Sequence, residues 1–241
     1  MLTCAAAWSA PPGATDLWTG KGQAGLLLSQ GNAAAKSANA ALELARASGA
    51  WKHAFNAAAL YGQSGEVTSA QRWSAGWQSD YLLTERTFAF GALRYARDKF
   101  SGFQYQATAS AGVGYKFIDN EAVKLTGQVG AGYRKLRPEL LVKDASGAVI
   151  TRTPLDTVDE AVMTAGLDYS HALTSTTSLS NRLLAEYGSS NTLLSDTFAL
   201  EVKMTDTLAL SLGVSIQDNS NPPAGVKRRD TVETVNLVYA F

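Results

Sequence analysis

The sequence predicts an all-β protein: a single antiparallel transmembrane β-barrel of about 12 strands, with both termini on the periplasmic side. Three observations lead there. From about Leu17 onward apolar and small or polar residues alternate with a period of two, the connections between alternating runs are short at every second position, and the chain ends on the aromatic strand "VNLVYAF".

The alternation is clearest in "QYQATASAGVGYKFI". Tyr105, Ala107, Ala109, Ala111, Val113, Tyr115 and Phe117 form one face, and Gln104, Gln106, Thr108, Ser110, Gly112, Gly114 and Lys116 the other. "TLALSLGVSIQD" repeats it, with Leu208, Leu210, Leu212, Val214 and Ile216 opposed to small and polar residues. Such segments are predicted at 17–29, 33–46, 51–63, 68–83, 86–97, 104–118, 122–136, 159–173, 177–189, 192–204, 207–218 and 229–241. The connections "SGA", "TE", "DNE", "TST" and "TD" are tight turns, assigned to the periplasm. The alternate set contains "DKFSGF", the stretch 139–160, expected as a long external loop, and "NSNPPAGVKR". Short turns at one end and longer loops at the other are the pattern of an outer-membrane barrel.

The aromatics divide this reading from a soluble sandwich. Tyr105 and Tyr115 share a face ten residues apart, as do Trp51 and Tyr61. At the usual rise and tilt that spacing projects to roughly 25 Å, the height of an apolar belt between two aromatic girdles. Trp18, Trp51, Tyr81, Phe88, Phe117, Tyr169, Tyr239 and Phe241 are assigned to a lower girdle, and Tyr61, Trp73, Tyr95, Tyr105, Tyr133 and Tyr187 to an upper one. In "VNLVYAF", Val235, Leu237, Tyr239 and Phe241 share the outward parity. This strand is expected to close the barrel against the strand near Trp18, leaving no unpaired edge in lipid. Tyr239 and Phe241 form the aromatic C-terminal signal through which the barrel-assembly machinery is the expected partner.

Composition limits the remaining classes. Lys plus Arg and Asp plus Glu number 21 each, so no overall field points to nucleic acid. A single cysteine, Cys4, excludes an internal disulfide framework and any multi-cysteine metal site, and no metal or cofactor is expected. The longest apolar runs fall short of the roughly 20 residues that a membrane helix needs. Residues 1–16 are read as the remnant of an export signal or a flexible periplasmic N-terminus, with Ala5-Ala6-Ala7 as a small-residue cleavage region, and 17–241 as the barrel.

The segments "WTGKGQAGLLLSQGN", "FAFGALRYARDKFSGFQYQATASAGVGYKF" and "KRRDTVETVNLVYAF" resemble the YdiY-like family of salt-induced outer-membrane proteins, whose biochemical role is unknown. The resemblance runs from about Trp18 to Phe241 and is most specific over Arg94 to Phe100. It implies a bacterial outer-membrane location and a response to salt or osmotic stress, and supplies no catalytic residue.

Few constellations carry chemistry. "GKGQAG", Gly20 to Gly25, matches G-x-G-x-x-G, but no strand precedes it and the period-two pattern runs through it, so a dinucleotide site is not expected. Its glycines are read as thinning the wall or easing strand curvature. The two histidines, His53 and His171, share parity with lipid-facing aromatics near the periplasmic rim, with no outward serine and carboxylate at matching depth. An outward lipid hydrolase is therefore the third reading and the protein is expected not to be an enzyme. In the lumen, Arg182 is expected opposite Asp168 and diagonal to Glu201, with Glu186 and Lys203 on the same wall. These charges either neutralise one another and fill a plugged barrel that stabilises the membrane, or form the constriction of a narrow passive pore for small polar solutes or ions, the favoured reading. Lys227, Arg228 and Arg229 are placed at the last external loop, where they could pair with lipopolysaccharide phosphates.

Overall fold

A computed structural model describes residues 18–29, 35–65, 67–144 and 149–241. Residues 1–16, and the leader assigned to them, lie outside it. The strands are β1 (Trp18–Ser29), β2 (Ala35–Ser48), β3 (Trp51–Ser64), β4 (Val67–Leu82), β5 (Thr87–Asp98), β6 (Phe103–Asp119), β7 (Val123–Lys143), β8 (Val149–Pro154), β9 (Val158–Ala172), β10 (Thr177–Gly188), β11 (Thr192–Lys203), β12 (Leu208–Asn219) and β13 (Arg229–Ala240). Each pairs antiparallel with its neighbours, β7 pairs with β9, and β13 returns to β1, which closes a 12-stranded barrel. No helix is long and apolar enough to cross a membrane; the strands do so instead.

The thirteenth strand corrects one expectation. The stretch 139–160 is not a loop: β7 continues past the barrel wall and folds back on β8, pairing Leu140 with Thr153 and Val142 with Thr151. The alternation of Leu140 and Val142 with polar neighbours already suits a ribbon, and Arg152 anchors it by an ion pair to Glu139 at 2.8 Å.

Parity follows from the registers. Side chains facing lipid include Trp51, Trp73, Tyr81, Tyr95, Tyr115, Tyr133, Tyr187, Tyr239 and Phe241, in two bands. Stacking within the bands pairs Trp51 with Tyr81 at 4.9 Å and Trp73 with Tyr95 at 5.0 Å between ring centroids. Phe88 is the exception. It points inward with Phe90, both 5% exposed. Its ring lies over Gly114, where a Cβ would collide with it, and Phe90 lies over Gly112 and Gly130. Outward parity on β5 belongs to Leu93 and Tyr95, so Phe88 cannot share it.

The polar exceptions on the outer face between the girdles are few. Asn181 donates to Asp196 at 2.6 Å, and Glu233 is exposed on β13. Charged groups at this depth are costly in lipid.

The closing seam accounts for the G-x-G-x-x-G match. Phe241 and Gly20 exchange both backbone hydrogen bonds, at 2.8 and 3.0 Å, and a Cβ at Gly20 would lie 2.6 Å from the Phe241 ring. Gly25 faces inward, where Asn39 donates to Asn236 across it at 2.7 Å. Two of these glycines therefore make room for closure.

Candidate functional site

The lumen gathers the charged residues that the strands turn inward. Lys21 on β1 is directly opposite Glu43 on β2 and reaches across β13 and β12 to Glu201, at 2.8 Å. Arg182 is opposite Asp168, as expected, and donates to it at 2.5 Å. Glu201 is not diagonal to Arg182: the β10–β11 register sets it against Ser178, and Arg182 against Thr197. These residues form a charged tier in the half of the barrel nearer the short turns.

A second tier lies nearer the long loops and is buried. Arg134 on β7 is 0% exposed; it donates to Glu160 on β9 at 3.0 and 2.6 Å and to the Asn191 carbonyl, and approaches Glu186 at 3.6 Å. Glu186 also pairs with Arg94 of β5, a contact that crosses the lumen as a chord. Glu160 accepts further bonds from the Ser190 backbone and the Ser189 hydroxyl at 2.7 and 3.1 Å. Two guanidiniums thus face two carboxylates with most polar atoms engaged, the condition under which buried ions are tolerated.

The chord divides the lumen. On its β5–β9 side Phe88, Phe90, Gln128 and Arg134 fill the space, leaving a pocket of about 80 Å³. On the other side runs a cavity of about 380 Å³. Its lining extends from Lys124 and Ala172 at the short-turn end, past Arg182, Asp168, Lys21 and Glu201, to Arg72 and Gln217 at the long-loop end. Of the five lumen candidates, Asp168, Arg182 and Glu201 line this cavity, Glu186 is buried in the chord, and Lys203 is exposed at the short-turn rim outside the lining. Sequence reasoning missed Lys21, Arg94, Arg134 and Glu160, whose partners are brought together only by the curvature of the closed wall.

At the long-loop end the β12–β13 connection reaches across the mouth. A Cβ on Gly102, in the turn after β5, would lie 2.9 Å from both Pro223 and Val226. The connection is tied at its base by Asn221, which donates to the Ser190 carbonyl at 3.1 Å, and by Asp218, which accepts from Arg228 and Arg229 at 2.7 and 3.2 Å. Two members of the basic cluster therefore share one carboxylate, while all three side chains of Lys227, Arg228 and Arg229 stay exposed.

On the outer face the structure changes one expectation. An outward serine does meet a histidine: Ser79 Oγ lies 2.8 Å from His53 Nδ1 and accepts from Trp77 Nε1 at 2.8 Å. Trp51 stacks on the same imidazole. The carboxylate adjacent in sequence, Asp80, faces the lumen beside Gln78, so the pair gains no orienting acid from it. His171 contacts Tyr169 at 3.3 Å. Among the described residues no group of three or more His, Cys, Asp or Glu is placed to hold a metal ion.

A closed barrel with an apolar outer face and two aromatic girdles is an outer-membrane protein, and solved structures agree on the fold. The COG4313 outer membrane channel from Pseudomonas putida F1 is similar over 100% of both chains, at 10% identity and a TM-score of 0.54. The translocator domain of the autotransporter NalP from Neisseria meningitidis covers 96% of this chain and 90% of its own, at 16% identity and a TM-score of 0.53. The NanC porin covers 92% and 98%, at 10% identity and a TM-score of 0.49. Among curated proteins none is significantly similar in sequence. The model of one family, described as a protein of unknown function, DUF481, matches residues 22–241.

Proposed function

We propose that this chain, which belongs to the DUF481 family that the YdiY-like resemblance also names, is a narrow passive pore for small polar solutes or ions in the bacterial outer membrane. The observation that carries this reading is the cavity of about 380 Å³, whose lining reaches from the short-turn end to the long-loop end and passes ion pairs and amides on the way. Short turns and both termini face the periplasm, the long loops face outward, and the pore serves the cell under salt or osmotic stress. Lys227, Arg228 and Arg229 contact lipopolysaccharide phosphates, and the strand ending at Phe241 engages the assembly machinery.

Purified barrel in a planar bilayer is expected to give stable, salt-dependent conductance steps. Arg94→Ala, which removes one end of the chord, is expected to raise the step size measurably. Silence from demonstrably folded protein would leave the plugged, membrane-stabilising barrel as the better reading; the Arg94–Glu186 chord and the connection across the mouth are what favour that rival.

The protein is not an enzyme in this reading, because Ser79 and His53 have neither an orienting carboxylate nor a free backbone donor pair in a hydrogen-bonded wall. Phospholipid turnover by the purified barrel is expected at background and unchanged in Ser79→Ala. Turnover by the native chain that vanished in that variant would reverse this assignment.

A further inference from the structure

The wall is not equally zipped. Strand β1 pairs with β2 over its whole length, from Trp18↔Arg46 to Ser29↔Ala35, and β13 pairs with β12 from Leu208↔Tyr239 to Asp218↔Arg229. Between β1 and β13 the register covers only Lys21↔Ala240 to Ala24↔Leu237, four residue pairs. Gly25 still touches the Val235 carbonyl. Above it, Leu26–Ser29 and Arg229–Val235 have no register with each other, so the seam parts in the half nearer the long loops. A strand edge left open in hydrocarbon strands backbone N–H and C=O groups, and barrels normally close to avoid that.

The side chains around the gap are unlike those of a solvated pore. Leu27 has the inward parity of Lys21 and Gln23, yet is 59% exposed. If the register continued, it would face Thr234. Val232 and Thr234, inward on β13, line the main cavity, and so does Leu60, which shares a register row with Gly25 through Asn39. Leu27, Leu60 and Val232 thus put an apolar stripe on the inner surface beside the gap, where a wholly aqueous lumen would have polar groups. Glu233, exposed at the outer edge of the same gap, is a carboxylate in the apolar belt, where a wet opening lowers its cost. Further down the same cavity lie Lys21 and Arg182.

We propose that the upper β1–β13 seam is a lateral portal through which a single-chain amphiphile passes between the bilayer and the lumen, its tail against Leu27, Leu60 and Val232 and its anionic head toward Lys21 and Arg182. This route goes beyond the axial passage of small polar solutes and does not require it. The Asn39–Asn236 hydrogen bond, at 2.7 Å, marks the foot of the portal.

The test uses the whole barrel, with Cys4→Ser, in proteoliposomes and 11-(dansylamino)undecanoate as the fluorescent probe. Saturable binding is expected in the parent. Leu27→Cys with Thr234→Cys, oxidised to lock the seam, is expected to abolish it, and reduction to restore it, while planar-bilayer conductance stays at the parent level. Leu27→Trp, which needs no disulfide, is expected to weaken binding about tenfold or more by filling the gap, a loss of about 1.4 kcal/mol or more. Absence of saturable binding in the parent, or binding indifferent to both the locked seam and Leu27→Trp in folded protein, would overturn the portal. Conductance that disappears together with binding would also overturn it, by showing one axial path for both.

Discussion

Arg134→Ala is expected to destabilise the folded barrel by about 3–5 kcal/mol, because it removes one charge from a fully buried, hydrogen-bonded cluster and leaves its partners behind. Arg134 is the group between Glu160 and Glu186, and without it only Arg94 remains to offset two carboxylates. The cluster has no room to relax: a Cβ on Gly188 would lie 2.6 Å from Arg134 Nη2 and 2.7 Å from the Glu160 carboxyl. Urea unfolding in lipid vesicles, followed by tryptophan fluorescence, measures the effect. Arg134→Met combined with Glu160→Gln removes both charges while keeping most of the volume, and is expected to recover much of the loss. A single variant within about 0.5 kcal/mol of the parent would mean that water reaches the cluster and screens it.

The contrast between this cluster and the pairs expected from the sequence shows what alternation can and cannot convey. Arg182 and Asp168 are joined by a tight turn, so their opposition follows from counting back along two strands. Arg134 and Glu160 are also register partners, but the long excursion through β8 hides the count. Arg94–Glu186 and Lys21–Glu201 are beyond any count, because they depend on how far a 12-stranded wall bends before its faces meet. Glu201 was expected beside Arg182 for the same reason: a flat sheet offers it no partner on β1. Phe88 was misassigned by a local ambiguity, since "TFAFGALRY" is apolar on both parities. The neighbouring glycines, Gly112 and Gly114, were the available signal, because a strand so bare on one side must accommodate something large from the next. The Ser79–His53 contact was overlooked because two outward residues on adjacent strands were judged by depth within their own strands, without the register that brings them together.

The seam gives the sharpest test of how closure depends on one short stretch. Gly22→Val and Gly25→Val change residues three apart in "GKGQAG", yet opposite outcomes are expected. A Cβ at Gly22 points outward and meets nothing within 4 Å, so valine there only adds apolar surface to the lipid face. At Gly25 the Cβ would collide with the Asn236 amide and come within 2.6 Å of both the Asn39 side-chain oxygen and the Val235 carbonyl. The amides could swing aside, at the loss of the hydrogen bond that spans the seam, but the carbonyl belongs to the closing strand and can move only if that strand moves. Overpacking of this kind costs about 1–3 kcal/mol. Here it falls on a seam of only four register pairs beside the terminal Phe241–Gly20 bonds, with no further ladder above to hold the strands in place. Gly25→Val is therefore expected to cut the yield of folded, heat-modifiable barrel several-fold in refolding assays and in outer-membrane fractions, with Gly22→Val near the parent. Equal yields from the two variants would show that β13 is held by β12 alone and that the seam contributes little to closure.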